Sequence, residues 1–283
     1  MGVASMAALG SRVDREVGMV VADMIGQYGV PRTLDESMRL AELLHPQIVR
    51  LRRGLYRSAA LDMGQQVAEL GLSVRPARLA PYDVTATYKL INRAVGLGDV
   101  DNTVAVQFLS EDTRRTVTRR VAPYLVDDPD ESVIKAVTDR IGAASARHAR
   151  EAARSLIVDT ARRGDVFDTK GKSRKEVGYA RVLTGKENCW FCSMLASRGA
   201  VYSSDTVLRQ QDGQRYHDNC DCEARLVVRG YRWEGDEEAM RLYHDEWVPA
   251  TKNHSGGLKR EKWQERWRKL DAADFTPINQ RQG

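Results

Sequence analysis

From Leu34 onward, apolar residues recur at steps of three or four: Leu34, Met38, Ala41, Leu44, Ile48, Leu51, Leu55, Ala59, Met63 and Val67. That spacing puts them on one face and predicts a long amphipathic helix running to about Gly71. Thr33-Leu34-Asp35-Glu36 forms a capping box at its start. Pro46 removes one helix hydrogen bond and is expected to kink the helix or split it. Residues 1–30 form a weakly patterned, mostly apolar opening that closes at Gly29-Val30-Pro31. Further on, Asp83 is placed to cap a short helix through about Arg93. Val104–Leu125 reads as another helix, with a basic face. Ser132–Arg163 reads as a second long helix, closed by Gly164.

The texture changes after Gly164. Asp165–Glu176 is polar and rich in Lys and Arg, and reads as a mobile loop. Gly178–Leu183 and Cys222–Arg229 have the composition and alternation of strands. Glu237–Trp247 and Leu258–Leu270 read as short helices, and Thr276–Gly283 as a fraying tail. The predicted fold is a mainly α N-terminal body with long amphipathic helices, plus a small α+β C-terminal module around a Cys/His site. The expected divisions are a helical body over 1–165 with its basic helix at 132–163, a charged loop over 166–177, the Cys/His module over 178–230, and a helical tail over 231–283.

All four cysteines fall between Cys189 and Cys222. Their pattern is Cys189-x2-Cys192, then 24 residues, then His217-x2-Cys220-x-Cys222. A C-x2-C pair followed by a second ligand pair suits one tetrahedral, structural Zn²⁺. Five candidates stand for four places, and the spacing does not rank His217, Cys220 and Cys222. Disulfides, formed once the protein leaves a reducing cytosol, and simple buried thiols are the competing readings. A deaminase-type zinc site is excluded, because His217 is followed by Asp218 and Asn219 where H-x-E is required. No G-x-S-x-G elbow is present. His45, beside Pro46, and His148, in an Arg-rich helix, read as surface or packing residues.

Charge is unevenly placed. The net charge is +5, yet residues 113–182 alone hold 16 Lys and Arg against 10 Asp and Glu. Arg140, Arg147, Arg150, Arg154 and Arg162 share one face of the second long helix, and Arg163, Lys170, Lys172, Arg174 and Lys175 extend the basic run. Two readings stand: a solvated face, or a stripe that tracks DNA phosphates without reading sequence. Trp263 and Trp267, four apart on one helix face, are expected to pack in a core. No run approaches the roughly 18 apolar residues of a membrane span, and charges interrupt the opening stretch where a secretory leader would have none. The expectation is synthesis in a cytosol, with no membrane partner.

Gly178-Tyr179-Ala180-Arg181-Val182, the run from Cys189 to Gly199 (CWFCSMLASRG), Tyr202, and His217-Asp218-Asn219-Cys220-Asp221-Cys222 together resemble the minor head proteins of actinobacterial tailed phages, which are similar to the Mu protein F-like head morphogenesis family. The close resemblance covers about 45 residues. It implies a protein inside the virion head, bound to the portal protein and meeting capsid or scaffold protein and packaged double-stranded DNA, and it assigns no chemistry. A capsid maturation protease or toxin-like enzyme, and a cellular zinc-containing DNA-binding protein, are the alternative readings.

Overall fold

The computed structural model describes residues 6–97, 131–168, 170, 173–184, 190–202 and 222–270. It is mainly helical, with two small antiparallel sheets. The helix expected over Val104–Leu125 and the tail over Thr276–Gly283 lie outside the described residues. The chain forms two compact units. One comprises Ser11–Gly54 and Ala80–Arg150; the other comprises Met1–Gly10, Leu55–Leu79 and Glu151–Gly283. The divisions fall inside three long helices and in the connector at Leu79–Ala80, whereas the change of texture at Gly164 marks where the last of these helices ends.

The all-helical unit is built from α1 (Met6–Tyr28) from Ser11 onward, the first part of α2 (Leu34–Glu69), α3 (Val84–Val95) and the first part of α4 (Glu131–Arg163). The sequence pattern did not distinguish α1, but Val13, Val17, Val21 and Ile25 form a buried line at steps of four. Helix α2 is continuous through Pro46, so the expected split does not occur. Its cap is a variant of the expected box. Glu36 N donates to Thr33 Oγ1 at 3.2 Å, but Glu36 Oε2 accepts from Arg32 N rather than from Thr33 N. Asp83 caps α3 as the sequence suggested, accepting from Thr85 N at 2.7 Å. These bonds to Thr85 hold the Asp83 carboxyl below the usual carboxylate range. Gly96, at φ 78°, closes α3 in the left-handed conformation that favours glycine. A Cβ on Gly142 of α4 would lie 3.7 Å from Gly18 Cα of α1, a measure of how closely the two backbones approach.

The mixed unit holds the sheets. Strands β1 (Leu72–Val74) and β2 (Val166–Asp168) pair antiparallel, Leu72 opposite Asp168. The segment expected as a loop from Asp165 therefore begins with a strand. The second sheet has the order β4-β3-β5, from β3 (Val177–Val182), β4 (Val201–Tyr202) and β5 (Glu223–Val228). Tyr179 lies opposite Leu226, and Arg181 opposite Ala224. Ala59, Met63 and Val67 from α2 and Leu156, Ile157 and Ala161 from α4 pack with Val177, Tyr179, Leu226 and Val228 into one core. Every residue of the central strand β3 is buried.

Helix α5 (Trp190–Ala196) and the C-terminal helices form a second core with Leu183, Cys192, Met194, Cys222, Leu242 and Trp263. The C-terminal run is α6 (Asp236–Arg241), a π-helical segment (Leu242–Trp247) and α7 (Val248–Thr251), then α8 (Gly257–Lys269). Pro249 has no N–H for the Asp245 carbonyl, and the wider π turn lies directly before it. Trp263 is fully buried, and its Nε1 donates to Trp190 O at 2.8 Å.

Candidate metal centre

The sulfur atoms of Cys192 and Cys222 lie 3.2 Å apart, both in buried side chains. Helix α5 carries Cys192 in its first turn. Cys222 directly precedes β5, whose pairing with β3 fixes its entry to the sheet. The same pairing explains Arg181. On β3 it continues the face of Val177 and Tyr179, which looks into the core. At the end of that face its Nη1 reaches Cys222 Sγ at 3.6 Å and Cys192 Sγ at 3.9 Å. Arg154 of α4 donates from Nη2 to Cys222 O at 3.1 Å. Two sulfurs and two buried guanidinium side chains thus meet where β3, β5, α4 and α5 converge.

Of the five candidate ligands read from the sequence, Cys192 and Cys222 are brought together. Cys189, His217 and Cys220 lie outside the described residues. Among the described residues no group of three or more His, Cys, Asp or Glu side chains is placed to hold a metal. The donor chemistry fits zinc. Thiolates are the ligands Zn²⁺ prefers, and a nearby guanidinium favours the anionic form of sulfur. A tetrahedron with arms of about 2.3 Å separates its sulfurs by roughly 3.8 Å, so the pair has to open slightly to admit the ion. Cys192 and Cys222, with two of Cys189, His217 and Cys220, would hold it, closing α5 onto the sheet.

The basic residues do not form one exposed face. Arg154 is buried against Cys222 O, and Arg150 is buried with its Nη1 3.1 Å from Asp14 Oδ2. Neither offers its guanidinium to solvent, as both readings of the stripe assume. Arg140, Arg162 and Arg163 are exposed, with Arg162 3.6 Å from Asp159. Lys170 and Arg174 are exposed and Lys175 is half-buried; Arg174 reaches Asp165 at 3.3 Å. Arg147 is half-buried, and Lys172 lies outside the described residues.

Residues 56–250 match the profile of the VG15 protein family. The chain belongs to that family. The matched region spans the sheets, the thiol pair and most of the C-terminal helices, so the candidate centre lies within the part shared with other VG15 proteins. A relative is the Gene 15 protein of Mycobacterium phage L5, 28% identical over 148 residues, covering 40% of this chain and 48% of the relative. The alignment thus spans about half the length of that relative. These likenesses place the chain among phage proteins. No solved structure matches it. No helix among the described residues is long and apolar enough to cross a membrane.

A second polar cluster, inside the helical unit, was not visible in the sequence. Tyr82 Oη is 2.8 Å from His148 Nδ1 and accepts from Thr87 Oγ1 at 3.3 Å; Thr87 Oγ1 is 3.3 Å from His45 Nδ1. With Thr87 donating to Tyr82, the chain of bonds runs from His45 Nδ1–H through Thr87 and Tyr82 to an accepting His148 Nδ1. His45 stacks on the Tyr82 ring at 5.5 Å, and the Arg52 guanidinium lies 4.5 Å from its centroid. Arg52 Nη1 also donates to His148 O. Both histidines, read from the sequence as surface or packing residues, are therefore ends of one network.

Burial raises the Tyr82 phenol above the ordinary 10.0, outweighing the opposing influence of Thr87, Arg52 and Arg147. The neutral phenol is thus the form the fold favours. Its contribution is complete below the unfolded value and is lost as pH rises through the folded one. We predict that Tyr82→Phe costs about 1–3 kcal/mol near neutrality, because it withdraws a hydroxyl from buried partners. Urea unfolding from pH 7 to 11 checks this: the difference between wild type and variant should shrink above the tyrosine range. An equal difference at both ends of the range would separate Tyr82 ionisation from stability.

Proposed function

We propose that the chain is a minor head protein of a tailed phage, located inside the head, associated with the portal and held together at its C-terminal module by one structural zinc ion. The observation that carries this reading is the family match over residues 56–250, which encloses the run from Gly178 to Cys222 that resembles head morphogenesis proteins. The phage relative supports the same reading. The buried Cys192–Cys222 pair supports the zinc, since paired thiolates are ligands that Zn²⁺ takes in structural sites. In this reading packaged duplex DNA is met through Arg140, Arg162, Arg163, Lys170, Arg174 and Lys175, and Arg150 and Arg154 are structural.

The deciding experiment is quantitative mass spectrometry of purified virions, with and without external protease. The protein should be present in every preparation, survive the protease, and crosslink to the portal protein. Its presence in infected cells together with its absence from purified particles would defeat the head assignment.

A further inference from the structure

We propose that Cys192 and Cys222 are a redox-modifiable pair that closes to an intramolecular disulfide when the protein meets a peroxide-class oxidant. The inference stands on the geometry of the two sulfurs and is independent of whether a metal is bound. Their separation of 3.2 Å exceeds the roughly 2.05 Å of an S–S bond by little more than 1 Å. That distance is within reach of small side-chain rotations, so neither helix α5 nor strand β5 has to move far. The two residues stand 30 positions apart in the chain, on separate elements that the sheet and α5 hold in register. Their proximity is therefore a property of the fold and not of a short local turn.

Arg181 strengthens the assignment. Its Nη1 lies within 4 Å of both sulfurs, so one cation stands beside each partner of the reaction. The chemistry balances with hydrogen peroxide alone. One thiolate attacks a peroxide oxygen, the O–O bond breaks, and the sulfur becomes a sulfenic acid as the first hydroxide leaves. The second thiolate attacks that sulfur, the S–S bond forms, and the second hydroxide leaves. The two thiol protons complete two waters, and the two electrons lost by sulfur reduce the peroxide. Both side chains are almost wholly buried, so a peroxide reaches them more readily than a bulky alkylating reagent. With the head location proposed above, the protein passes from a reducing cytoplasm to an oxidising exterior, where such a bond forms and persists. The link would then tie α5 to the start of β5 across the intervening 29 residues.

The test uses the full chain, purified reduced, both as isolated without chelator and after the metal is stripped with one. It is treated with two equivalents of hydrogen peroxide, denatured in N-ethylmaleimide, digested without reduction and analysed by mass spectrometry. The peptide pair linked through Cys192 and Cys222 should be on the order of tenfold more abundant than any other of the cysteine pairings, because geometry selects the bond. Dominance of another pairing, or oxidation to sulfinic acid without a crosslink, overturns the proposal. The Cys189→Ser, Cys220→Ser double variant gives an independent check: its remaining two cysteines should still link. A parallel sample loaded with Zn²⁺ tests the metal reading separately. Slower crosslinking there supports zinc at these sulfurs; equal rates remove the zinc and leave the pair assignment intact.

Discussion

Replacing Trp263 by alanine should destabilise the C-terminal part of the protein by about 3–5 kcal/mol, the range for emptying a buried tryptophan site. The indole is fully buried, contacts the rings of Trp247 and Trp267 with centroids 5.5 and 5.7 Å away, and donates to Trp190 O. Through that bond α8 is tied to the first residue of α5, the helix that presents Cys192. The loss should therefore extend from the C-terminal helices to the thiol pair. Hydrogen exchange of the full-length variant checks this, with faster exchange expected in α5, β5 and the run from Asp236 to Lys269. Trp263→Phe keeps a six-membered ring in the site but removes the donor and the pyrrole ring, so its cost should fall below that of the alanine variant. A cost below 1 kcal/mol for the alanine variant would mean that the surrounding rings collapse into the site.

The second large effect concerns metal. Protein purified without chelator should carry about one Zn²⁺ per chain. Cys192→Ser with Cys222→Ser should bring that to nearly none and expose residues 178–230 to proteases. Binding free energy at a structural zinc site is folding free energy, with apparent values of about 10–16 kcal/mol in zinc-finger peptides. Part of that would be lost here, since the sheet also rests on the α2 and α4 core. Elemental analysis together with limited proteolysis reads both effects. Wild-type protein that holds no metal would defeat the zinc reading whatever the variant does.

The helices that follow a clear period were legible in the sequence. The stripe is buried from Ala41 to Val67 as its spacing required, with Leu34 and Met38 half-buried, and β3 and β5 lie within a residue of the segments read as strands. Helix α1 was not distinguished, because Met19, Val20, Ala22 and Met24 are apolar too and lie off its buried line, which blurs the period. The placement of Arg150 and Arg154 was also hidden. Helix α4 is rich in alanine, and small side chains let more than one of its faces be covered, so a stripe of arginines does not identify the wet side. Ala146, Ala149 and Ala152 are all buried alongside them. For the candidate centre, clustering of the cysteines gave the chemistry, but Arg181 had no sequence signal of its own. A strand buried on both faces loses the alternation that tells inward from outward. The network at Tyr82 joins residues 45, 82, 87 and 148, a span over which no local pattern operates.

The mixed unit is assembled from three separate stretches of chain, with residues of the helical unit inserted between them. This arrangement sets a schedule for synthesis on the ribosome. The apolar face formed by Ala59, Met63 and Val67 emerges early, but its partners Val177, Tyr179, Leu226 and Val228 come well over a hundred residues later. At bacterial elongation rates of about 5–20 residues per second, that is a wait of roughly 7–30 s. During that interval the nascent chain shows an uncovered hydrophobic surface, long enough for chaperones to bind it or for neighbouring chains on a polysome to aggregate through it.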